Sequence, residues 1–299
     1  MSAAPAASRT PYEFFDAAVV RTRRLSPSIV RVVLGDPSLA RVVSEGRDQR
    51  FKLFLPRPGQ NAPVLPESLG ADWYARWRAL DPGVRGVMRT YTIRDTRSDP
   101  PELDVDFALH GDLGPASAWA RRARPGDRVA VLAPVRRGNG GVDFRLPPGA
   151  DAVLLTGDET ALPAVAGILA ALPEGIPVRA LLEVAHPDDR LPLPTKADAD
   201  VQWFVRPRAA PSPLPAALAS TPLHGRTPYA WLAGEATAVR AQRRHLVRDR
   251  ALPRQAVTFT GYWRRGTTED QLLARAARPA ERTEPEAARS PAPAATAKA

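Results

Sequence analysis

The 299-residue chain contains no cysteine. That absence excludes disulfides, thiolate zinc sites, iron–sulfur clusters and cysteine nucleophiles together. Histidine is scarce as well: His110, His186, His224 and His245 lie far apart and form no HxxxH or HExxH pair. No built-in metal is expected from such spacing. No run approaches the ~18 apolar residues of a membrane span, and the opening MSAAPAASRTPYEFF has no charged segment followed by an apolar stretch. A soluble, cytoplasmic protein is expected. The chain also lacks GxGxxG and any evident internal repeat.

Lysine is rare, occurring only at Lys52, Lys196 and Lys298, so nearly all of the 42 basic residues are arginine. Against 32 acidic residues they give a net charge of +10, which favours anionic partners. The arginines are spread along the whole length with no basic helix interleaved with aromatics, so a nucleic-acid footprint is not indicated. Dinucleotide phosphates or an anionic ferric chelate suit the same field.

Length and a hydrophobic content of 44% fit two domains. Residues 1–12 are small and polar, and the Pro-, Ala- and Glu-rich end beyond about residue 278 has no apolar period; disorder is expected in both, with a helix fragment at the start of 269–299. Residues 13–148 offer short alternating segments: 29–34, 51–55, 88–94, 103–109 and 128–133. In Leu103-Asp104-Val105-Asp106-Phe107-Ala108-Leu109 the apolar side chains occupy every second position, one face of a strand. This half reads as an antiparallel barrel or sandwich. From Gly149 to residue 268 the texture changes to unbroken apolar strands, at 152–156, 178–184, 201–205, 229–233 and 257–260, separated by helical stretches. That is the pattern of an α/β parallel sheet covered on both faces.

Four segments carry chemistry. In Arg89-Thr90-Tyr91-Thr92-Ile93-Arg94, Arg89, Tyr91 and Ile93 share one strand face and Thr90, Thr92 and Arg94 the other. A guanidinium beside a ring suits a flavin dinucleotide, gripping its pyrophosphate and covering its isoalloxazine, although an Arg and a Tyr on a strand are more often simply a surface and a core residue. Next, His110-Gly111-Asp112-Leu113-Gly114-Pro115-Ala116-Ser117 makes a tight turn into a short helix, an anion-binding arrangement or an ordinary turn, with Ser117 either bonding a phosphate or capping the helix. Third, the strand 152–156 runs through Gly157-Asp158-Glu159-Thr160 into a helix, with Thr160 the expected N-cap and Pro163 in the first turn. In a parallel sheet such a turn faces the ligand crevice at the strands' C-terminal ends. Fourth, Gly234-Glu235 reaches the same edge, and Gly261-Tyr262-Trp263-Arg264-Arg265-Gly266 ends the last strand with aromatics and two cations, as a binding rim or a domain-closing core.

In this order, RTYTIR, HGDLGPASAWA, GDETALPA, AGEA and GYWRRG resemble the siderophore-interacting protein family, relatives of ferredoxin-NADP reductase, over about residues 17–266. The resemblance implies an N-terminal FAD-binding barrel and a C-terminal nicotinamide-binding domain, together a ferric-siderophore reductase drawing electrons from NADPH or NADH. It implies that Arg89, Tyr91 and Thr92 contact the flavin, and that His110, Gly111, Ala116 and Ser117 hold its pyrophosphate. Gly157, Asp158, Glu159, Thr160, Gly234 and Glu235 would line the nicotinamide side. Lys52 and Arg264 would read an anionic ferric siderophore, with Arg136 and Arg137 as candidates for a third cation. No catalytic acid–base pair is required.

Reduced ferredoxin is an alternative donor. Arg206 and Arg208 would suit a 2′-phosphate, and Asp188 and Asp189 a free ribose hydroxyl. A monomer is expected. The competing readings are a general flavin or ferric-chelate reductase and a non-catalytic polyanion-binding protein.

Overall fold

The computed structural model describes residues 10–67, 70–109, 114–207 and 210–267. Its first half is a seven-stranded antiparallel sheet of order β4-β3-β7-β1-β2-β6-β5. The strands are β1 (Tyr12–Ser26), β2 (Ile29–Gly35), β3 (Arg50–Leu55), β4 (Val87–Thr92), β5 (Asp95–Ser98), β6 (Pro101–Ala108) and β7 (Arg128–Pro134). The sheet curls on itself where β4 ends: the Ile93 amide bonds Gln49 on the β3 side and the next amide, Arg94, bonds Asp104 of β6. The β6 alternation drives this closure. Leu103, Val105 and Phe107 are buried inside the barrel, whereas Asp104 and Asp106, on the opposite face, are buried beneath the arginines that neutralise them, Arg97 and Arg31.

Among the described residues, two α-helices serve this half, α1 (Trp73–Ala79) against its outer face and α2 (Pro115–Ala120) at its mouth. Residue 12, assigned above to a disordered start, begins the 15-residue β1. That strand has no clean period because bulges between Val19 and Arg21 and between Arg24 and Ser26 shift its phase.

The second half is a five-stranded parallel sheet of order β10-β9-β8-β11-β12. Its strands are β8 (Ala152–Gly157), β9 (Pro177–Val184), β10 (Asp198–Val205), β11 (Pro228–Glu235) and β12 (Val257–Trp263). Every residue of β8 is buried, as expected of a central strand with both faces covered. Val153 and Leu155 pack beneath α3 (Leu162–Ala171), while Leu154 faces α4 (Leu214–Ser220) and α5 (Ala236–Arg244).

The halves are locked at several points. Asp189 accepts bonds from Ser26 Oγ at 2.7 Å and the Ser28 amide at 2.9 Å. Asp48 accepts from Trp231 Nε1 at 3.2 Å. A Cβ on Gly167 of α3 would lie 2.3 Å from the Arg47 carbonyl oxygen. Only glycine allows that approach of helix to backbone.

Candidate functional site

The functional side chains gather where the end of β4 meets the C-terminal edge of the parallel sheet. On β4, Arg89 and Tyr91 face inward. Arg89 is buried and donates to the Met88 carbonyl at 2.7 Å. The Tyr91 ring lies 4.4 Å from Phe107, which meets Trp119 of α2 at 5.8 Å. Ala116 and Ser117 are buried on that helix, so four of the expected flavin contacts lie along one connected stretch of the barrel mouth. Ser117 is inside the helix rather than its cap, which is Gly114. Ile93 lies past the strand's end, yet it packs into the core on which Tyr91 rests. His110 and Gly111 lie outside the described residues, as does Arg208.

The opposite face of the same ladder carries Arg50, Lys52, Thr90 and Thr92 in register. Lys52 Nζ donates to Thr90 Oγ1 at 2.7 Å. Arg50 pairs with Asp143, and Asp143 also accepts from Thr260 of β12 at 3.4 Å. Thr92 is buried beside the Tyr262 phenol. Burial, reinforced by Asp48, holds that phenol well above its usual range, so it stays protonated. Tyr262 packs edge-on against Trp231 at 6.4 Å. Last strand and barrel strand thus touch at the residue expected beside the flavin.

At the edge of the parallel sheet, Asp158 is the organising group. Its carboxylate accepts from the Thr160 amide at 3.0 Å, the Glu235 amide at 2.8 Å and Trp263 Nε1 at 2.7 Å. The ends of β8, β11 and β12 are therefore tied by one side chain. Gly234, at φ +132°, leaves room for it: a Cβ there would come within 2.6 Å of Asp158 Oδ2. Thr160 is not the cap of α3; it turns back to Asp158, and Ala161 occupies the cap position. Glu235 instead caps α5, accepting from the Thr237 and Ala238 amides.

Glu159 is buried and pushed up to about 7 by burial and by the Asp158 charge beside it. Arg206 stands 3.3 Å from it and also pairs with Glu183. That double engagement occupies the arginine read from sequence as a 2′-phosphate ligand. Asp189, read as a ribose partner, is likewise turned to the barrel by its bonds to Ser26 and Ser28; Asp188 is exposed. Arg264 is exposed beyond Trp263, and Arg136 and Arg137 are exposed just after β7. Sequence reasoning did not find Asp48, Arg50, Asp143 or Trp231, whose partners lie as much as 183 positions away.

Comparison with known proteins agrees with this architecture. Residues 18–138 match the siderophore-interacting FAD-binding domain, and residues 150–266 match the siderophore-interacting protein model. The chain therefore belongs to the siderophore-interacting protein family. An uncharacterized protein of Mycobacterium tuberculosis is 36% identical over 85% of this chain and 91% of its own length. The ferric vibriobactin reductase ViuB of Vibrio cholerae is 29% identical over 84% of this chain and 89% of its own. Among solved structures, the siderophore-interacting protein SipS from Aeromonas hydrophila superposes with a TM-score of 0.73 at 33% identity, over 88% of this chain and 96% of that one. The ferredoxin NADP+ reductase of Neisseria gonorrhoeae shares the fold alone, with a TM-score of 0.56 at 14% identity over 84% and 99% of the two chains. The fold is thus that of a ferredoxin-NADP reductase-like flavoprotein, and no helix among the described residues is long and apolar enough to cross a membrane.

Proposed function

We propose that the protein is a ferric-siderophore reductase that takes electrons from NADPH or NADH and delivers them, through FAD, to siderophore-bound Fe(III), releasing Fe(II). The observation that carries this reading is the link from Arg50, opposite Thr92 on the β3–β4 ladder, through Asp143 to Thr260 of β12, which sets the flavin-contact strand against the last strand of a nucleotide-type sheet. The residues present fit FAD. Arg89 supplies a buried guanidinium for a pyrophosphate and Tyr91 a half-buried ring, while Gly114, just before α2, has open space where a Cβ would be. FAD supplies the coupling of a two-electron donor to a one-electron acceptor.

The chain's own groups bind and orient. Arg50, Asp143 and Thr260 tie the strand that carries Thr92 to β12. His110 and Gly111 complete the expected pyrophosphate loop beside Ala116 and Ser117. Gly157, Asp158, Glu159, Thr160, Gly234 and Glu235 shape the nicotinamide side, with Asp158 acting by holding its neighbours rather than by offering a free carboxylate. Lys52 and Arg264 provide positive charge for an anionic chelate at the crevice edge. Ferrous iron is bound less tightly than ferric by hard oxygen ligands, so reduction loosens the metal without an acid or base from the protein.

ViuB's description as a ferric vibriobactin reductase supports the siderophore assignment. The test is ferrous-iron release to a chelating dye, comparing several ferric siderophores with ferric citrate. A siderophore preference of tenfold or more in kcat/KM, corresponding to about 1.4 kcal/mol, is expected. Equal efficiency on citrate would make the protein a general ferric-chelate reductase.

A further inference from the structure

The parallel sheet ends on β10, which bonds to β9 on one side only. Its eight residues, Asp198–Val205, run in unbroken register against β9, with no bulge, lysine or proline among them. The amides flanking this stretch, Asp198 and Arg206, donate toward β9, to the carbonyls of Ile176 and Val184. By the alternation of a strand, Ala199, Val201, Trp203 and Val205 turn their amides and carbonyls away from β9. Those groups have no backbone partner among the described residues. Proteins blunt such an edge with bulges, lysine or proline, or by keeping it short and polar. Thus β5 has four polar residues, and β12 carries Gly261 and has Asp143 against its Thr260. In β10 the prolines stand only outside the strand, at Pro194 and Pro207.

This edge is complementary to itself. When two β10 strands pair antiparallel about a two-fold axis at Gln202, Ala199 lies opposite Val205 of the second copy and Val201 opposite Trp203. All four outward-facing residues then exchange both backbone hydrogen bonds with their opposite numbers. Their side chains share one sheet face, on which Ala199, Val201 and Trp203 are partly buried and Val205 is 37% exposed, so an apolar stripe continues across the seam. On the other face the exposed Asp198 lies opposite Arg206, Asp200 opposite Phe204, and Gln202 opposite itself. No like charges meet. An axis at Asp200 would set two carboxylates against each other, and an axis at Trp203 would set Ala199 against Pro207, which has no N–H to donate.

We propose that the protein pairs with a second copy of itself through β10, joining two five-stranded sheets into one. The paired strands run in opposite directions, so the crevices at the strands' C-terminal ends face opposite ends of the joined sheet. Nothing local in the sequence marks β10 as an edge, which is why a monomer is expected from the sequence alone.

The lack of cysteine gives a test specific to the register. Two Gln202 residues opposite each other form a non-hydrogen-bonded pair with Cα atoms about 4.5 Å apart, within the span of a disulfide. Gln202→Cys in the full chain is therefore expected to give a covalent dimer on mild oxidation. Asp200→Cys is not, because its two copies lie about 13 Å apart along the paired strands. Sedimentation velocity of the wild type across the micromolar range is expected to show a dimer. Val205→Lys, which puts a charge into the apolar stripe, should weaken that dimer by about tenfold or more. Val84→Lys, at an exposed position just before β4, should sediment as wild type. A wild-type monomer throughout the range overturns the proposal, whatever the cysteine variants do. So does a dimer in which Gln202→Cys fails to cross-link or Asp200→Cys cross-links as readily, since either gives the contact to another surface or register. A dimer that Val205→Lys leaves unchanged overturns it as well.

Discussion

The indole of Trp263 donates to the carboxylate of Asp158 across 105 residues of chain. The same carboxylate holds Glu235 and Thr160, so one side chain gathers three strand ends into the crevice rim. Asp158→Ala leaves buried donors without acceptors and is expected to cost about 3 kcal/mol. Trp263→Phe removes one donor and should cost about 1 kcal/mol. Urea unfolding of both variants checks this; equal, small losses would mean the rim is not organised by Asp158.

Gly167→Ala offers a test in which two effects have opposite signs. Helix propensity alone favours alanine by about 1 kcal/mol. The Arg47 carbonyl, 2.3 Å from the new Cβ, predicts instead a loss of about 2 kcal/mol through overpacking of the interface. A lowered calorimetric midpoint is expected. A raised one would show that the two halves do not sit this close in solution.

Glu159 gives the stability a pH dependence. Its carboxyl is raised to about 7 by burial and by Asp158, so the folded state binds its proton more tightly than the unfolded chain does. For a raised carboxyl, stability falls as pH climbs from the ordinary carboxylate range to about 7, and the loss is complete above that. Glu159→Gln should flatten this segment of the stability–pH curve and stabilise the protein at pH 8 by on the order of 2 kcal/mol. Parallel curves for variant and wild type between pH 5 and 8 would contradict the assignment.

Lys52 and Arg264 should act on substrate capture. Lys52→Ala and Arg264→Ala are each expected to raise KM for a multiply anionic ferric siderophore by about tenfold while affecting an uncharged chelate little, and to weaken the salt dependence of kcat/KM. Steady-state assays at two ionic strengths measure this. An identical effect on charged and neutral chelates would remove these residues from the substrate rim.

Much of this fold is legible in the sequence because most of its strands have one environment along their length. β6 alternates cleanly since one face fills the barrel, and β8 is uniformly apolar since both faces are covered. β1 and β5 are not legible. β1 changes phase at two bulges, and β5, Asp95–Ser98, is a polar edge strand with no apolar face to announce it. The motif segments locate the crevice, because a strand followed by a turn and helix marks the sheet edge whatever its side chains do. What each side chain does there is set by distant partners. Arg206 reads as a free cation until Glu159 and Glu183 are seen beside it. Asp189 reads as a ribose ligand until the barrel's Ser26 is placed against it. Thr160 reads as a helix cap, and local sequence cannot show that Asp158 claims it first.

The most direct measurement is the visible spectrum of the purified protein under anaerobic conditions, recorded alone, after NADPH or NADH, and after a ferric siderophore, with a chelator present to trap ferrous iron. The account predicts flavin absorption that bleaches on addition of nucleotide and returns on addition of the ferric siderophore, with ferrous iron appearing in step. A protein that binds no flavin on reconstitution, or a reduced flavin that the ferric siderophore leaves bleached, would contradict it.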